Sequence, residues 1–472
     1  MKEEYVTYSA IYPPYSGRTH APHMSDWQTR IDMDKLRRDR HEKLVNEMKA
    51  QDVSVMFLLQ PWNIRAATGY HGLTYTSGLS YAICPVEGEP ILYGHGTPAI
   101  QDRRQMKWLK PENVRYAIPT AVGMMSSGLW THPEALKYQI EKVVRQLKEA
   151  LEERKLTKEV LVFDSTDPGL QAMLEKAGIK TEVKGALPIK AQEIKTPEEI
   201  ECMRMVSGIT DLVHYEMAKY AEPGMTEYEI AGYMNYIGMK YGGEPSPGSW
   251  CGSGPHTWPN FRNSTDRVIR PGDIFYADAI QVSWNGYKSC HYRTYSAGWK
   301  PTQKAEDCYK RINEWLNSAL SDCKPGNTTW DMLKHWPAEE TWQGLPADYC
   351  WGDNVMHGIG LVNYGPPQGC RAWTEKYPYE LKEGHVFAIE TQDSIGDGQG
   401  CRVEDHVVVT KDGCEVLTRF PTDHITVVPM KTGQWDVEFE PPEERLKKYA
   451  GKYPPKGYRA TIDADKYWKM QK

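Results

Sequence analysis

Apolar and polar positions along this chain change period several times, and each change marks an element. Residues Met33 to Met48 carry charges around a helical repeat and lead into Val53-Ser54-Val55-Met56-Phe57-Leu58-Leu59, an apolar run of strand length. A helical stretch from Glu134 to Lys155 precedes Val160-Leu161-Val162-Phe163, which reads as a second buried strand. Helix, strand and loop alternate in this way to about Lys190, the pattern of an α/β domain, and no Gly-rich phosphate loop follows its strands. Before it, residues 1 to 32 show no clear period and read as an arm laid over a surface.

A boundary falls between Ala191 and Lys195. Thr196-Pro197-Glu198-Glu199 has the order of a helix start: Thr as N-cap, Pro at the first helical position, and Glu where a capping box closes. Ile200, Met203, Val206, Val213 and Met217 then recur at helical spacing up to Pro223-Gly224. Another helix is expected from Thr226-Glu227; a later one ends at Lys324-Pro325-Gly326, and a further one starts near Thr328. Ile274 to Ile280, Val386 to Gln392 and Arg402 to Thr410 read as strands. The fold class is therefore α+β: an α/β domain over 33–190 and a second domain over 191–430 with a mostly antiparallel sheet, followed by a charged tail over 431–472.

At 472 residues the chain is long enough for two cores. Its formal charge of −6, with Lys and Arg scattered, gives no basic face and argues against nucleic acid as a partner. No stretch approaches the length of a membrane span, and a cytoplasmic location is expected. The ten Cys contain no Cys-x-x-Cys pair, so they are expected as buried, reduced thiols rather than a disulfide framework.

The chemistry concentrates near the C-terminal end. Met356-His357-Gly358-Ile359-Gly360 and Arg402-Val403-Glu404-Asp405-His406 bracket Phe387-Ala388-Ile389-Glu390-Thr391. Strand interiors seldom hold acidic side chains unless something pairs with them, and the usual partner is a cation. His357, Glu390 and Glu404 are thus candidate metal ligands.

Several further strings carry a resemblance: Asn63-Ile64-Arg65-Ala66-Ala67-Thr68-Gly69, Ile194-Lys195-Thr196-Pro197-Glu198-Glu199, Gly252-Ser253-Gly254-Pro255, Pro271-Gly272-Asp273, Asn285-Gly286-Tyr287 and Arg293-Thr294. In order and spacing the chain resembles the pita-bread family of methionine aminopeptidase, aminopeptidase P, prolidase and creatinase, whose longer members carry a creatinase-like N-terminal domain. That family holds two metals with two Asp, one His and two Glu. The resemblance assigns these to Asp278, His357, Glu390 and Glu404, and puts Cys290 where the second, bridging Asp belongs. With that carboxylate gone, one divalent ion (iron, zinc or manganese) is expected rather than two, with Cys290 or His291 completing its shell.

Peptidases of the fold also carry two proton-handling His. Here the corresponding segments read Trp258-Pro259-Asn260-Phe261 and Asn363-Tyr364-Gly365-Pro366, leaving His256, Tyr364 and Asp278 as catalytic candidates. Dimethylsulfoniopropionate lyases built on this fold show a similar pattern. The resemblance therefore implies a metal-dependent hydrolase or lyase, a homodimer, acting on a small substrate such as an onium carboxylate. Trp62, Trp258 and Trp351 could bind its cation, and Arg293 and Arg402 its carboxylate. The alternatives are an Xaa-Pro dipeptidase, a creatinase-like C–N hydrolase and a non-catalytic scaffold.

Overall fold

The computed structural model describes residues 30–72, 78–96, 98–126, 132–245, 248–258, 263–337, 354–396 and 398–430; most of the expected arm, the expected tail and Trp351 lie outside them. The charged helix is α1 (Met33–Ala50), capped by the Asp32 carboxylate, which accepts from the amides of Asp34 and Lys35. The apolar run behind it is β1 (Val55–Leu58), followed by α2 (Pro61–Thr68). Next come β2 (Tyr81–Pro85), β3 (Ile91–His95), β4 (Val114–Ala117), α3 (Pro133–Glu153), β5 (Leu161–Phe163) and β6 (Thr181–Val183). The six strands form one mixed sheet in the order β4-β3-β2-β1-β5-β6. Ile140, Val143 and Leu147 of α3 pack on Val55, Phe57, Leu161 and Phe163, giving this half its own core.

The second half opens with a long helix, α4 (Pro197–Tyr220). Its start has both arms of a capping box, Thr196 accepting from the Glu199 amide and Glu199 accepting from the Thr196 amide. The same device starts α5 (Glu227–Lys240), through Thr226 and Glu229. Four strands follow, β7 (Trp250–Ser253), β8 (Ile274–Asp278), β9 (Ser283–Trp284) and β10 (Tyr287–Lys288), then β11 (Tyr292–Ala297) and α6 (Gln303–Asp322). The C-terminal strands are β12 (Asn354–Gly358), β13 (Gly365–Cys370), β14 (Val386–Gly396), β15 (Gln399–Val409), β16 (Cys414–Val416) and β17 (Thr426–Val428).

Two larger sheets result, β17-β11-β8-β7 and β13-β12-β14-β15-β16, beside the two-stranded β9–β10 pair. Their pairings are antiparallel except β11 with β17, so the mostly antiparallel expectation matches. Side-chain alternation gives the long β14–β15 hairpin two faces. Phe387, Ile389, Val403 and Val407 pack against Ile312 and Leu316 of α6. Val386, Ala388 and Val408 join the core that holds Val206 and Val213 of α4, Ile230 of α5 and Phe275 of β8. Glu390 and Glu404 belong, by parity, to the second face, so the functional side chains stand inside the fold with a packed helix behind each sheet.

Candidate metal centre

Glu390 and Glu404 are direct register partners on β14 and β15. Like charges directly opposite one another destabilise a sheet, so this pairing demands a compensating cation or proton. His357 on β12 enters from the neighbouring strand, where it pairs with Ala388 of β14. Its Nδ1 lies 2.7 Å from the Asn363 carbonyl oxygen, which fixes the proton there and leaves Nε2 as the lone-pair nitrogen. Nε2 has no hydrogen-bond partner among the described residues and faces Glu404 Oε1 at 3.8 Å. Both Glu404 oxygens likewise have no conventional donor there, the Cys290 thiol beside them being a weak one.

Cys290, His357 and Glu404 each offer one ligand atom, all within 4.8 Å of one another, and all three residues are buried. Buried polar atoms are nearly always paired, so three convergent ligand atoms, with His357 Nε2 and the Glu404 oxygens lacking conventional partners among the described residues, fit a divalent cation. Thiolate, imidazole and carboxylate form a mixed donor set that suits iron or zinc chemistry. Asp278 and Glu390 flank the trio. The Glu390 carboxylate accepts a short hydrogen bond from the Tyr292 hydroxyl, and Tyr292 is the register partner of Asp278 on β8. Asp278 is 4 % exposed and its Oδ1 has no hydrogen-bond partner among the described residues.

Burial and mutual repulsion set the acidities. Burial first, then the negative charge of Glu390, pushes Asp278 up to about 8. The same causes, burial followed by Glu390 and Asp278, push Glu404 well above the carboxylate range. Burial also raises the Cys290 thiol and lowers His357 to about 4, so the imidazole is neutral near pH 7. Counter-charge comes to Asp278 from Arg402 and to Glu404 from Arg293; Arg402 is 1 % exposed, and its guanidinium lies over the rings of Tyr276 at 5.0 Å and Tyr292 at 5.6 Å.

The remaining sequence candidates are placed as follows. His291 turns away from the trio: its Nδ1 contacts Thr210 Oγ1 at 3.1 Å and its ring packs on His214. Adjacent residues on an extended segment face opposite sides, so Cys290 and His291 do not share the site. Arg293 donates to Asp405 at 2.6 Å and to the carbonyls of Tyr292, Glu404, Phe420 and Pro421, which occupies its five N–H groups. Tyr364 lies against His357, its ring tilted 40° with centroids 4.5 Å apart, and remains 42 % exposed, at the mouth of the centre. Burial, then the charges of Cys290, Glu390, Asp278 and Glu404, push its hydroxyl far up, so it keeps its proton.

His256 lies 2.9 Å from Glu227, a fully buried carboxylate that also accepts from Ser253 and Thr265. Trp62 on α2 faces the Lys288 ammonium, 5.1 Å from the ring centroid. Trp258 lies against Gly400, where an added Cβ would meet its ring at 2.8 Å. None of these three belongs to the convergent trio. Sequence reasoning missed Tyr292 and Glu227. Tyr292 stands two residues beyond Cys290 and so on the same face, a signal that alternation alone could have supplied; Glu227 follows a helix cap and carries no comparable signal.

Residues 201–411 match Metallopeptidase family M24. Among curated proteins the chain is 27 % identical over 250 residues to a probable dipeptidase PepE from Mycobacterium tuberculosis, covering 52 % of this chain and 65 % of that protein, just under two thirds of its length. It is 26 % identical over 266 residues to the dimethylsulfoniopropionate lyase DddP of Roseovarius nubinhibens, covering 54 % of this chain and 58 % of the lyase. Among solved structures, an X-Pro aminopeptidase from Thermotoga maritima superposes with a TM-score of 0.64 at 19 % identity, over 82 % of this chain and 99 % of the aminopeptidase. The strand register that sets Glu390 against Glu404 beside His357 thus lies within residues 201–411, the part of the chain that matches the M24 metallopeptidase model, and the chain shares the fold of the solved X-Pro aminopeptidase.

Proposed function

We propose that this chain is a metal-dependent enzyme that binds one divalent ion through Cys290, His357 and Glu404, with Asp278 and Glu390 at its edge, and cleaves a small carboxylate substrate. The observation that carries this reading is the convergence of three buried donors within 4.8 Å, two of them without a conventional partner among the described residues. When bound, the ion would supply Lewis acidity, for activating water or for polarising the substrate carboxylate. One ion is favoured over two because a thiol stands at the bridging position and the Tyr292 hydroxyl occupies Glu390 Oε2.

The protein's own residues would handle protons and orientation. Asp278, at the edge of the centre, takes a proton from the substrate or from water. Tyr364 presents a hydroxyl that stays protonated and gives one up to the leaving group. Arg402 holds positive charge beside the carboxylates. His256, fixed by Glu227, is assigned the other imidazole role. Onium carboxylates are the favoured substrate class: position 364 holds Tyr where peptidases of the fold have a His-bearing segment, and the lyase DddP is among the relatives. Dipeptide hydrolysis is the second reading, favoured by the match to a probable dipeptidase. A homodimer is part of the proposal, to be tested by light scattering.

Elemental analysis of protein purified without added metal or chelator tests the centre, with His357→Ala and Glu404→Ala alongside. About one equivalent of iron, zinc or manganese in the parent, lost in both variants, supports it; metal-free parent protein that is active on either substrate class overturns it. Parallel assays with dimethylsulfoniopropionate and an Xaa-Pro dipeptide separate elimination from peptide hydrolysis.

A further inference from the structure

On the face of the β14–β15–β16 sheet that packs against α6, four thiols stand in two pairs. In the first, Cys308 Sγ on α6 donates to the Asp393 carbonyl at 3.3 Å, and Asp393 is the register partner of Cys401. Cys401 Sγ in turn points at the Ala305 carbonyl at 3.7 Å, one turn before Cys308. In the second, the Cys323 amide and the Cys414 thiol converge on one acceptor, the Leu320 carbonyl, at 3.2 and 3.5 Å. The two thiols of each pair are also in hydrogen-bond contact with each other. All four are reduced cysteines.

The pairs differ in access and in freedom. Cys308 and Cys401 are fully buried inside the core formed by α6 and the sheet. Cys414 is half-buried and lies on β16, a three-residue strand at the edge of its sheet. Cys323 is the C-cap of α6, with a non-helical backbone (φ −76°, ψ 91°), so neither residue is held in the middle of a regular element. A disulfide needs Cβ atoms about 4 Å apart and a near-right-angle dihedral, and a helix end and a short edge strand are less constrained in adjusting to it than two residues inside regular elements.

We propose that Cys323 and Cys414 are an oxidation site, a dithiol that closes to a disulfide and fastens the end of α6 to β16. The partner thiol supplies an asymmetry: Cys323 donates to Cys414, which favours the Cys414 thiolate and makes it the more acidic of the two, while Cys323 holds its own proton more tightly. With a peroxide as oxidant, the Cys414 thiolate attacks one peroxide oxygen, the O–O bond breaks, and a sulfenic acid and hydroxide form. Cys323 then attacks the sulfenic sulfur, its proton goes to the departing oxygen as water, and an S–S bond forms. The net change is two thiols and one hydrogen peroxide giving one disulfide and two waters. The closed loop runs from residue 323 to 414 and includes the whole of β14 and β15, the strands bearing Glu390 and Glu404.

The full chain, treated with hydrogen peroxide, blocked with N-ethylmaleimide in denaturant and digested for mass spectrometry, tests the site. The expected product is a cross-linked peptide joining Cys323 to Cys414, about 2 Da lighter than the sum of its reduced parts. It should be absent from Cys414→Ser and reversed by dithiothreitol, with Cys308 and Cys401 recovered as alkylated thiols. The oxidised parent should also unfold at a higher temperature than the reduced one, a shift that Cys414→Ser lacks. Recovery of Cys323 alkylated beside free or overoxidised Cys414 would overturn the proposal, as would a cross-link between any other pair. The peptide map of the parent decides the matter even if the variant fails to fold.

Discussion

A single Asp shows how much the centre depends on charge that the protein itself does not supply. Asp278 binds its last proton at about 8 in the folded chain, against an ordinary 3.8. Between those values the folded state holds a proton that the unfolded state has lost, so stability falls as pH rises. His357 at about 4, and His214 and His406 at about 3, shifted down from 6.5 by burial, have the opposite sign: below pH 6.5 the unfolded state takes protons that the folded state refuses. From about pH 6.5 to 8 the carboxylates therefore act unopposed by these imidazoles, and Asp278 alone contributes about 2 kcal/mol of lost stability. Metal-stripped protein should melt progressively lower across that window, and Asp278→Asn or saturating metal should flatten the slope; an unchanged slope in the variant would assign the loss to other groups. Cys290 makes a second test at this scale. Cys290→Asp restores a carboxylate at the bridging position and should raise the bound metal above one equivalent by elemental analysis, whereas Cys290→Ser should not. Of the site, His357, Glu390 and Glu404 were legible because charged residues in apolar strands need a reason. Tyr292 was missed because a Tyr in a strand needs none, and only its alternation with Cys290 could have pointed to it.

Elements were legible where local chemistry decides them. Thr196-Pro197-Glu198-Glu199 predicts a helix start, and α4 begins at Pro197 with both capping-box bonds made. Thr196→Ala removes the hydroxyl that accepts from the Glu199 amide and should cost about 1 kcal/mol in urea unfolding; Thr196→Ser should cost little. The alternating runs at 274, 386 and 402 likewise became β8, β14 and β15, with ends displaced by a few residues. Strand β13 was not legible. Its sequence, Gly365-Pro366-Pro367-Gln368-Gly369-Cys370, reads as a turn, since Pro donates nothing to a ladder. It forms a strand because it lies at the sheet's edge, where only β12 needs its carbonyls and amides. Tertiary position, not propensity, made that strand. The two-strand pair β9–β10 is the opposite case: Asn285-Gly286 supplies the left-handed residues, at φ 49° and 81°, that a two-residue hairpin turn requires.

That hairpin tip is also where the two halves of the molecule lock together. Arg65 reaches from α2 to Glu244, with Nη1 at 3.0 and 3.2 Å from its two oxygens, while Gly286 and Ser283 donate to the same carboxylate. Gly286 makes room for the guanidinium: a Cβ there would fall 2.1 Å from Arg65 Nη1. On the same string, Asn63 donates to Asp164 and accepts from Gln192, and on the other side of the junction Lys43 of α1 pairs with Glu199 at 2.5 Å. The Asn63-Ile64-Arg65 string, read in the sequence as a mark of family resemblance, is thus a structural joint, which a linear reading could not show because Glu244 lies 179 residues away. The Arg65 side chain is 7 % exposed and that of Glu244 20 %, so truncating one partner leaves a poorly solvated charge. Arg65→Ala should cost about 3 kcal/mol in denaturant unfolding. Glu244→Ala should cost a comparable amount, and the double variant clearly less than the sum of the two, since the orphaned charge is gone. Strictly additive losses would mean that the pair carries no coupling and that packing alone holds the halves in register. A coupling of 1 kcal/mol or more, on the order expected for neighbouring charges, would make this contact one that sets how the N-terminal half sits against the sheet bearing Asp278.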